Sequence, residues 1–380
     1  MGVARLRMGV VGVGGRGSGL VRAVAAVPEV ELTAVADVVA AQAEKVAAQA
    51  GVPGHTSHVA LLESGLVEAV LIGTPHPFHA QIAVDAAERG IHVLTEKPIA
   101  VRVAEADRMV AAARRAGVRL GVMFQRRLEP LHRQAREIIA SGALGALHEV
   151  EMSSTGWYRL QSYYEGGAWR GTWKGEGGGI LANQAPHDLD LLAWLGGMPA
   201  ALTATLRRRV HRIEVENTVS ALLEYGGTQT GFFRATTADP QGRRSIEITG
   251  ELGRLAVRDG KLLHCRYPRP VAEDILHTTD RRATPFTVEW REVPLEGGGG
   301  DTTGAVIAAF ARAVAGEGYL VATGEDGLRA LELANAMHLS GLTGRRVRLP
   351  VDRAEIDALY GDLAAGRLVL DPEGPRAGAG

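Results

Sequence analysis

The chain has 380 residues, 46% hydrophobic and 22% charged, with a formal net charge of −1; that length favours two domains over one. The near-neutral balance gives no electrostatic footprint for nucleic acid or an anionic membrane surface, and no run approaches the roughly 20 apolar residues that span a bilayer. A single cysteine, Cys265, allows no internal disulfide and fits a reducing cytoplasm.

In chain order, residues 6–12 form an apolar run that breaks into glycines, which reads as a buried strand rather than a signal peptide. A helix is expected over 18–27, a strand over 31–36 and a helix over 40–50. A third apolar run covers 69–73, with a further strand either around 64–68 or merged into that run. A helix over 79–89, a strand over 91–95, a helix over 104–116 and a strand over 118–124 follow. Strands alternating with helices at this spacing predict βαβ units and a parallel, doubly wound sheet, placing a Rossmann domain over 1–124. The rhythm then changes. A helix over 131–141, a strand over 147–154, a Gly- and Trp-rich stretch and a helix near 186–195 lead into a mostly extended region from 201 to 258. That pattern predicts an α+β domain with a large, mostly antiparallel sheet over 125–350. Residues 297–300 read as a flexible break, 303–315 and 325–340 as helices, and 346–349 as extended. Residues 351–380 read as an extension, disordered from about Asp371.

Three motifs carry chemistry. Gly12-Val-Gly14-Gly15-Arg16-Gly17 follows a strand and opens a helix, and Asp37 lies twenty residues beyond Gly17. This is the context of a dinucleotide-binding turn: Gly12 permits the bend, Gly14 lets a pyrophosphate approach, and Gly17 lets helix pack on strand. Asp37 suits the ribose hydroxyls of NAD and repels the 2′-phosphate of NADP; Arg16 is the nearby cation able to offset that preference. Glu96-Lys97-Pro98 ends another strand on the same expected rim. Only four of 42 basic residues are lysines, and position 97 keeps one. A compact amine has a pKa that burial can adjust, which guanidinium lacks. Taken alone, the tripeptide also fits a surface turn. In the third motif, Asn183 and His187 follow the glycines at 177–179 and share a face if that segment is helical. His187 suits a general base for oxidation and an acid for reduction; the bland alternative is an N-cap and a packed histidine. No ligand spacing for a metal is evident. Trp157, Tyr158, Tyr163, Tyr164, Trp169 and Trp173 crowd into a chain only 5% aromatic, as a sugar-stacking pocket or a subunit contact would require. Arg170 beside them, and Arg127 after the strand over 118–124, are candidate substrate contacts.

The order of the glycine turn, Thr74-Pro75 with His79, Glu96-Lys97-Pro98, Phe124-Gln-Arg-Arg127 and Asn183-x-x-x-His187-x-x-Asp190 resembles the Gfo/Idh/MocA oxidoreductases, the family of glucose–fructose oxidoreductase and inositol dehydrogenase. Ile213-Glu-Val-Glu-Asn-Thr218, Ile248-Thr-Gly-Glu-Leu-Gly253 and Thr323-Gly-Glu-Asp-Gly327 extend the likeness over residues 5–350. The resemblance implies a cis Lys97–Pro98 peptide and cofactor contacts that include Gly15, Arg16, Thr74, Pro75, His79, Glu96 and Lys97. It also implies a sugar, inositol or nucleotide-sugar substrate, and a homodimer or homotetramer formed through the open sheet face. The candidate substrate-side residues are Arg127, Trp157, Trp169, Arg170, Asn183 and His187. One departure stands out. Many relatives place Asp where this chain has Asn183, and an amide takes no proton, so Lys97 and His187 are left to move it. The expected activity is an NAD-dependent hydride transfer at a secondary alcohol or ketone. Glycoside cleavage by transient oxidation and a non-catalytic NAD-sensing role are the alternatives.

Overall fold

The computed structural model describes residues 5–282, 284–297 and 300–370. The first sheet contains β1 (Leu6–Val11), β2 (Val30–Ala36), β3 (Gly54–His55), β4 (Ala69–Ile72), β5 (His92–Thr95) and β6 (Leu120–Val122), in the order β3-β2-β1-β4-β5-β6. Every pairing in it is parallel. Unbroken apolar runs form it because helices cover both faces; in β4 all four residues are buried. The third strand is not at 64–68. Those residues form a turn after the short helix His58–Glu63, where Ser64 Oγ donates to the Leu61 carbonyl and Gly65 adopts φ +71°. The third strand is instead the two-residue β3, too short to leave a periodic signal.

The second sheet contains β7 (Leu147–Ser154), β8 (Ala201–Arg207), β9 (Thr218–Glu224), β10 (Thr230–Thr236), β11 (Arg244–Gly250), β12 (Gly253–Arg258), β13 (Lys261–Arg266), β14 (Arg291–Glu292) and β15 (Val347–Arg348). Its order is β14-β13-β12-β11-β7-β10-β9-β8-β15. It is antiparallel except where β7 and β10 run parallel at its centre. Helices Pro186–Gly196 and Gly324–Thr343 pack on one face, which explains the alternating burial along β8 and β9.

Chain order and packing part company late in the sequence. Helix Thr302–Val314 returns to the first sheet: Val306, Ile307 and Phe310 share a core with Met8, Val10 and Leu20. Helix Gly324–Thr343 bridges both lobes, and Val122 N–H donates to the Ala322 carbonyl at 3.1 Å. Helix Arg353–Ala364 lies within the expected extension and buries Ile356, Leu359, Tyr360 and Leu363. The tail from Asp371 and part of the 297–300 break lie outside the described residues.

Candidate active site

The carboxyl ends of β1, β2, β4 and β5 set one rim, the edge where ligands bind in open α/β sheets. After β1, Gly12 adopts φ +83°, with the Thr74 side chain 2.6 Å from where a Cβ would stand. A Cβ on Gly17 would lie 1.8 Å from the Gly12 carbonyl oxygen, so only glycine allows the turn to close on helix Gly15–Ala26. Gly14 and Gly15, by contrast, face open space with nothing within 4 Å. The helix start has no side-chain cap, so its N–H groups are free for an anion.

After β2, the Asp37 carboxylate accepts from Val13 N–H at 2.9 Å and Val39 N–H at 3.0 Å. Val38 and Val39 beside it are 85% and 58% exposed and offer no charge to a 2′-phosphate. After β4, Thr74 keeps a buried Oγ1 with no partner among the described residues, and Pro75 starts the 3-10 turn His76–Phe78. After β5, the Lys97–Pro98 peptide is cis. Glu96 Oε1 accepts from Arg16 Nε at 2.9 Å, and its Oε2 from the Lys97 backbone N–H at 3.2 Å. His79 departs from expectation. Its ring is fully buried, with its nitrogens 2.9 Å from the Pro98 and Thr74 carbonyls, so it ties two rim loops together.

The second lobe supplies the other half. Glu216, fully buried, accepts from Gly179 N–H and Leu181 N–H at 3.0 Å. A Cβ on Gly179 would meet the Glu216 carbonyl oxygen at 1.7 Å, which explains the glycine there. This clamp fixes the turn that carries Asn183. Lys97 Nζ crosses the crevice and donates to the Asn183 carbonyl at 2.6 Å. Asn183 itself lies before helix Pro186–Gly196, whose cap is Ala185. The shared helical face with His187 is therefore absent, because Pro186 starts the helix. The Asn183 amide donates to the buried carboxylate of Glu176.

His187 is buried, packs edge-on against Phe124, and its Nδ1 has no partner among the described residues. Burial first, and then the charges of Lys97, Arg126, Arg16 and Arg244, hold its pKa well below the usual histidine value. Burial likewise lowers Lys97, against the pull of Glu96. Both groups are thus biased toward their neutral forms.

Arg127 is not at this crevice. It is 6% exposed, and its guanidinium is committed to Asp190, Asp326 at 3.1 Å and the Val321 carbonyl. Its neighbour Arg126 instead pairs with Asp188, whose other oxygen accepts from Trp157 Nε1 at 3.0 Å and from Ser154 Oγ. On the far side, Trp169 packs edge-on to His76, and Arg170 stacks on Trp169 with 4.4 Å to the ring centroid. His76, Glu176, Glu216 and Arg126 carried no assigned role in the sequence. Each nonetheless adjoins a motif: His76 follows Thr74-Pro75, Glu176 precedes the glycines, Glu216 lies in the 213–218 stretch, and Arg126 precedes Arg127. His76 Nδ1 lies 3.0 Å from the Glu176 carbonyl, joining the two lobes, and burial pulls its pKa down to about 3.

The open cradle at Gly14 and Gly15, the uncapped helix start and the acidic residue after β2 fit NAD, and with this sheet order they define an NAD-binding oxidoreductase. The chain belongs to the GFO/IDH/MocA family. The oxidoreductase-family NAD-binding Rossmann fold matches residues 6–124, and the GFO/IDH/MocA C-terminal domain matches 132–256. Inositol 2-dehydrogenase 2 of Saccharopolyspora erythraea is 27% identical over 95% of this chain and 99% of its own. Rhizopine catabolism protein MocA of Rhizobium meliloti is 34% identical, but the match spans 51% of this chain and 58% of MocA. The WlbA dehydrogenase of Bordetella pertussis, solved with NADH and UDP-GlcNAcA, has a TM-score of 0.77 at 28% identity, covering 92% of this chain and 100% of that one.

Proposed function

We propose that this protein is an NAD-dependent dehydrogenase or reductase acting on a secondary alcohol or ketone of a cyclic polyol, sugar or glycoside. The observation that carries the reading is the meeting of Lys97 from one lobe with the turn that leads to His187 in the other. Relatives named for inositol and WlbA's complex with a nucleotide sugar support that substrate class. Gly12, Gly14, Gly15, Gly17 and Asp37 would hold the dinucleotide, with Thr74 and Glu96 on the rim. When bound, NAD supplies a nicotinamide carbon that takes up or returns a hydride.

The chain's own groups handle the proton. A resting neutral His187 has a lone pair, and with Nδ1 closed off, Nε2 is the atom that takes the substrate hydroxyl proton. Lys97 Nζ, oriented by the Asn183 carbonyl, donates to the same substrate oxygen as negative charge develops on it. Asn183 keeps Oδ1 for a substrate hydroxyl while its amide is held by Glu176. Trp157 and Trp169 wall the sugar site, each with an arginine stacked on its ring. Burial, and then the surrounding cations, make a protonated His187 costly, so it is a strong acid in the reductive direction. The same reading makes the protein a homodimer or homotetramer through the uncovered face of the second sheet, where Leu222 is 61% exposed.

The test is a panel of polyols, aldoses, uronates and glycosides scored for NADH formation, with Lys97→Ala and His187→Ala alongside. Each variant is expected to lose roughly a hundredfold or more in turnover while NADH still binds. Near-normal turnover in both would refute the assignment.

A further inference from the structure

The arginines around the crevice fall into two groups. Arg16 and Arg126 are each neutralised by a buried carboxylate, Glu96 and Asp188. Arg159, Arg170 and Arg244 have no carboxylate partner among the described residues. They are held by aromatic rings instead. Arg244 stacks on Trp157 at 3.6 Å to the centroid. Arg159 lies between Trp157 at 5.6 Å and Tyr163 at 4.9 Å. Arg170 lies between Tyr163 at 4.5 Å and Trp169 at 4.4 Å. Arg and ring alternate as a ladder from the Asp188 end of the crevice, where Trp157 is anchored, to the His76 end, where Trp169 packs.

The donors on this ladder are largely unused. Arg244 makes no side-chain hydrogen bond among the described residues. Arg170 spends one N–H on the Tyr163 hydroxyl at 2.6 Å. Arg159 spends one on the Tyr158 carbonyl, and its buried Nε has no partner among the described residues. Stacking fixes the plane of a guanidinium and leaves its edge, with the N–H fork, free for a planar or tetrahedral oxyanion. Both ends of the ladder act on the site: Arg244 is among the charges that weigh on His187, and Arg170 among those that weigh on His76. Asp188 and Glu129 act on Arg244 from a distance, and Glu176 feels Arg170, but none of the three stacked arginines is held in an ion pair among the described residues, so together they favour a negatively charged occupant.

We propose that the substrate is an acidic sugar or polyol, bearing a carboxylate or a phosphate ester, and that Arg159, Arg170 and Arg244 form its oxyanion subsite. The proposal rests on the crevice being a sugar-oxidoreductase site and names what that site selects.

The test uses the full-length protein saturated with NADH. The probes are D-glucose, D-glucuronate and D-glucose 6-phosphate, with the matching galactose series, and binding is read by calorimetry. A charged member is expected to bind roughly tenfold or more tighter than its neutral parent, with an advantage that shrinks as salt rises. Arg170→Gln and Arg244→Gln are each expected to remove most of that advantage without changing Tm. Preference for the uronate or for the phosphate ester identifies the anion. Equal affinity for charged and neutral probes, no binding of any charged probe, or inorganic phosphate binding as tightly as the charged sugars overturns the proposal. The redox reading fails separately: arginine-dependent binding of acidic sugars with no NADH formed from NAD would keep the subsite and remove the dehydrogenase.

Discussion

Gly14→Ala separates folding from cofactor binding at a single methyl group. Gly14 has φ −71° and ψ −178°, extended backbone open to any residue, and a Cβ there meets nothing within 4 Å. The fold should therefore bear the change within about 0.5 kcal/mol, and Tm should move by no more than about 2 °C. The open space is nonetheless where a pyrophosphate must approach the N–H groups at the start of helix Gly15–Ala26. A methyl carbon there displaces the phosphate by about 1 Å, which takes one or two charge-assisted hydrogen bonds past the roughly 3.2 Å at which N–H···O bonds are made. Each such bond is worth about 1.5–3 kcal/mol. A loss of about 2–4 kcal/mol corresponds to a Kd for NADH weaker by roughly thirtyfold to several hundredfold. Fluorescence titration with NADH and a thermal melt on the same sample measure both quantities. Gly17→Ala is the contrast, since its Cβ at 1.8 Å from the Gly12 carbonyl must cost stability and binding together. Wild-type NADH affinity in a stable Gly14→Ala protein would show that the glycine turn is not the phosphate cradle.

Three other expectations follow from the same geometry. Asp37→Ser removes the carboxylate that disfavours a 2′-phosphate, so the ratio of NADPH to NADH affinity should rise; an unchanged ratio would move cofactor selection elsewhere. Arg127→Gln leaves Asp190 buried beside Asp326 without its cation, at a cost of about 3–5 kcal/mol and a Tm lower by roughly 10 °C. A normal Tm with a raised KM would return Arg127 to the substrate. His76, His79 and His187 are all held below the usual histidine value by burial, so the unfolded chain takes up protons that the folded chain refuses. Stability is then intact above pH 6.5. As pH falls below that it is lost at up to about 1.4 kcal/mol per unit for each histidine, and for His76 the loss continues to about pH 3. Urea unfolding at pH 7.5, 6 and 5 tests this, and equal midpoints would contradict the buried neutral histidines.

Features whose cause is local were legible in the sequence. The glycine turn, Asp37 and the Glu96-Lys97-Pro98 rim follow from strand ends and backbone sterics, which a few adjacent residues decide. The alternation of apolar runs and helices likewise specified a parallel sheet, and the extended region after 201 a second, mostly antiparallel one. What the sequence could not decide was which way a side chain leaves its turn and what waits for it there. Arg126 and Arg127 are neighbours in one 3-10 turn, yet one pairs with Asp188 near His187 and the other with Asp190 and Asp326 away from it. The resemblance implied a cofactor contact at His79, and tertiary packing buries its ring with its nitrogens 2.9 Å from the Pro98 and Thr74 carbonyls. Helix Thr302–Val314 belongs to the core of the first sheet although the second sheet precedes it in the chain. Partners of that kind lie up to hundreds of residues apart, and they are chosen by which surfaces the whole fold brings together, a choice that no local pattern encodes.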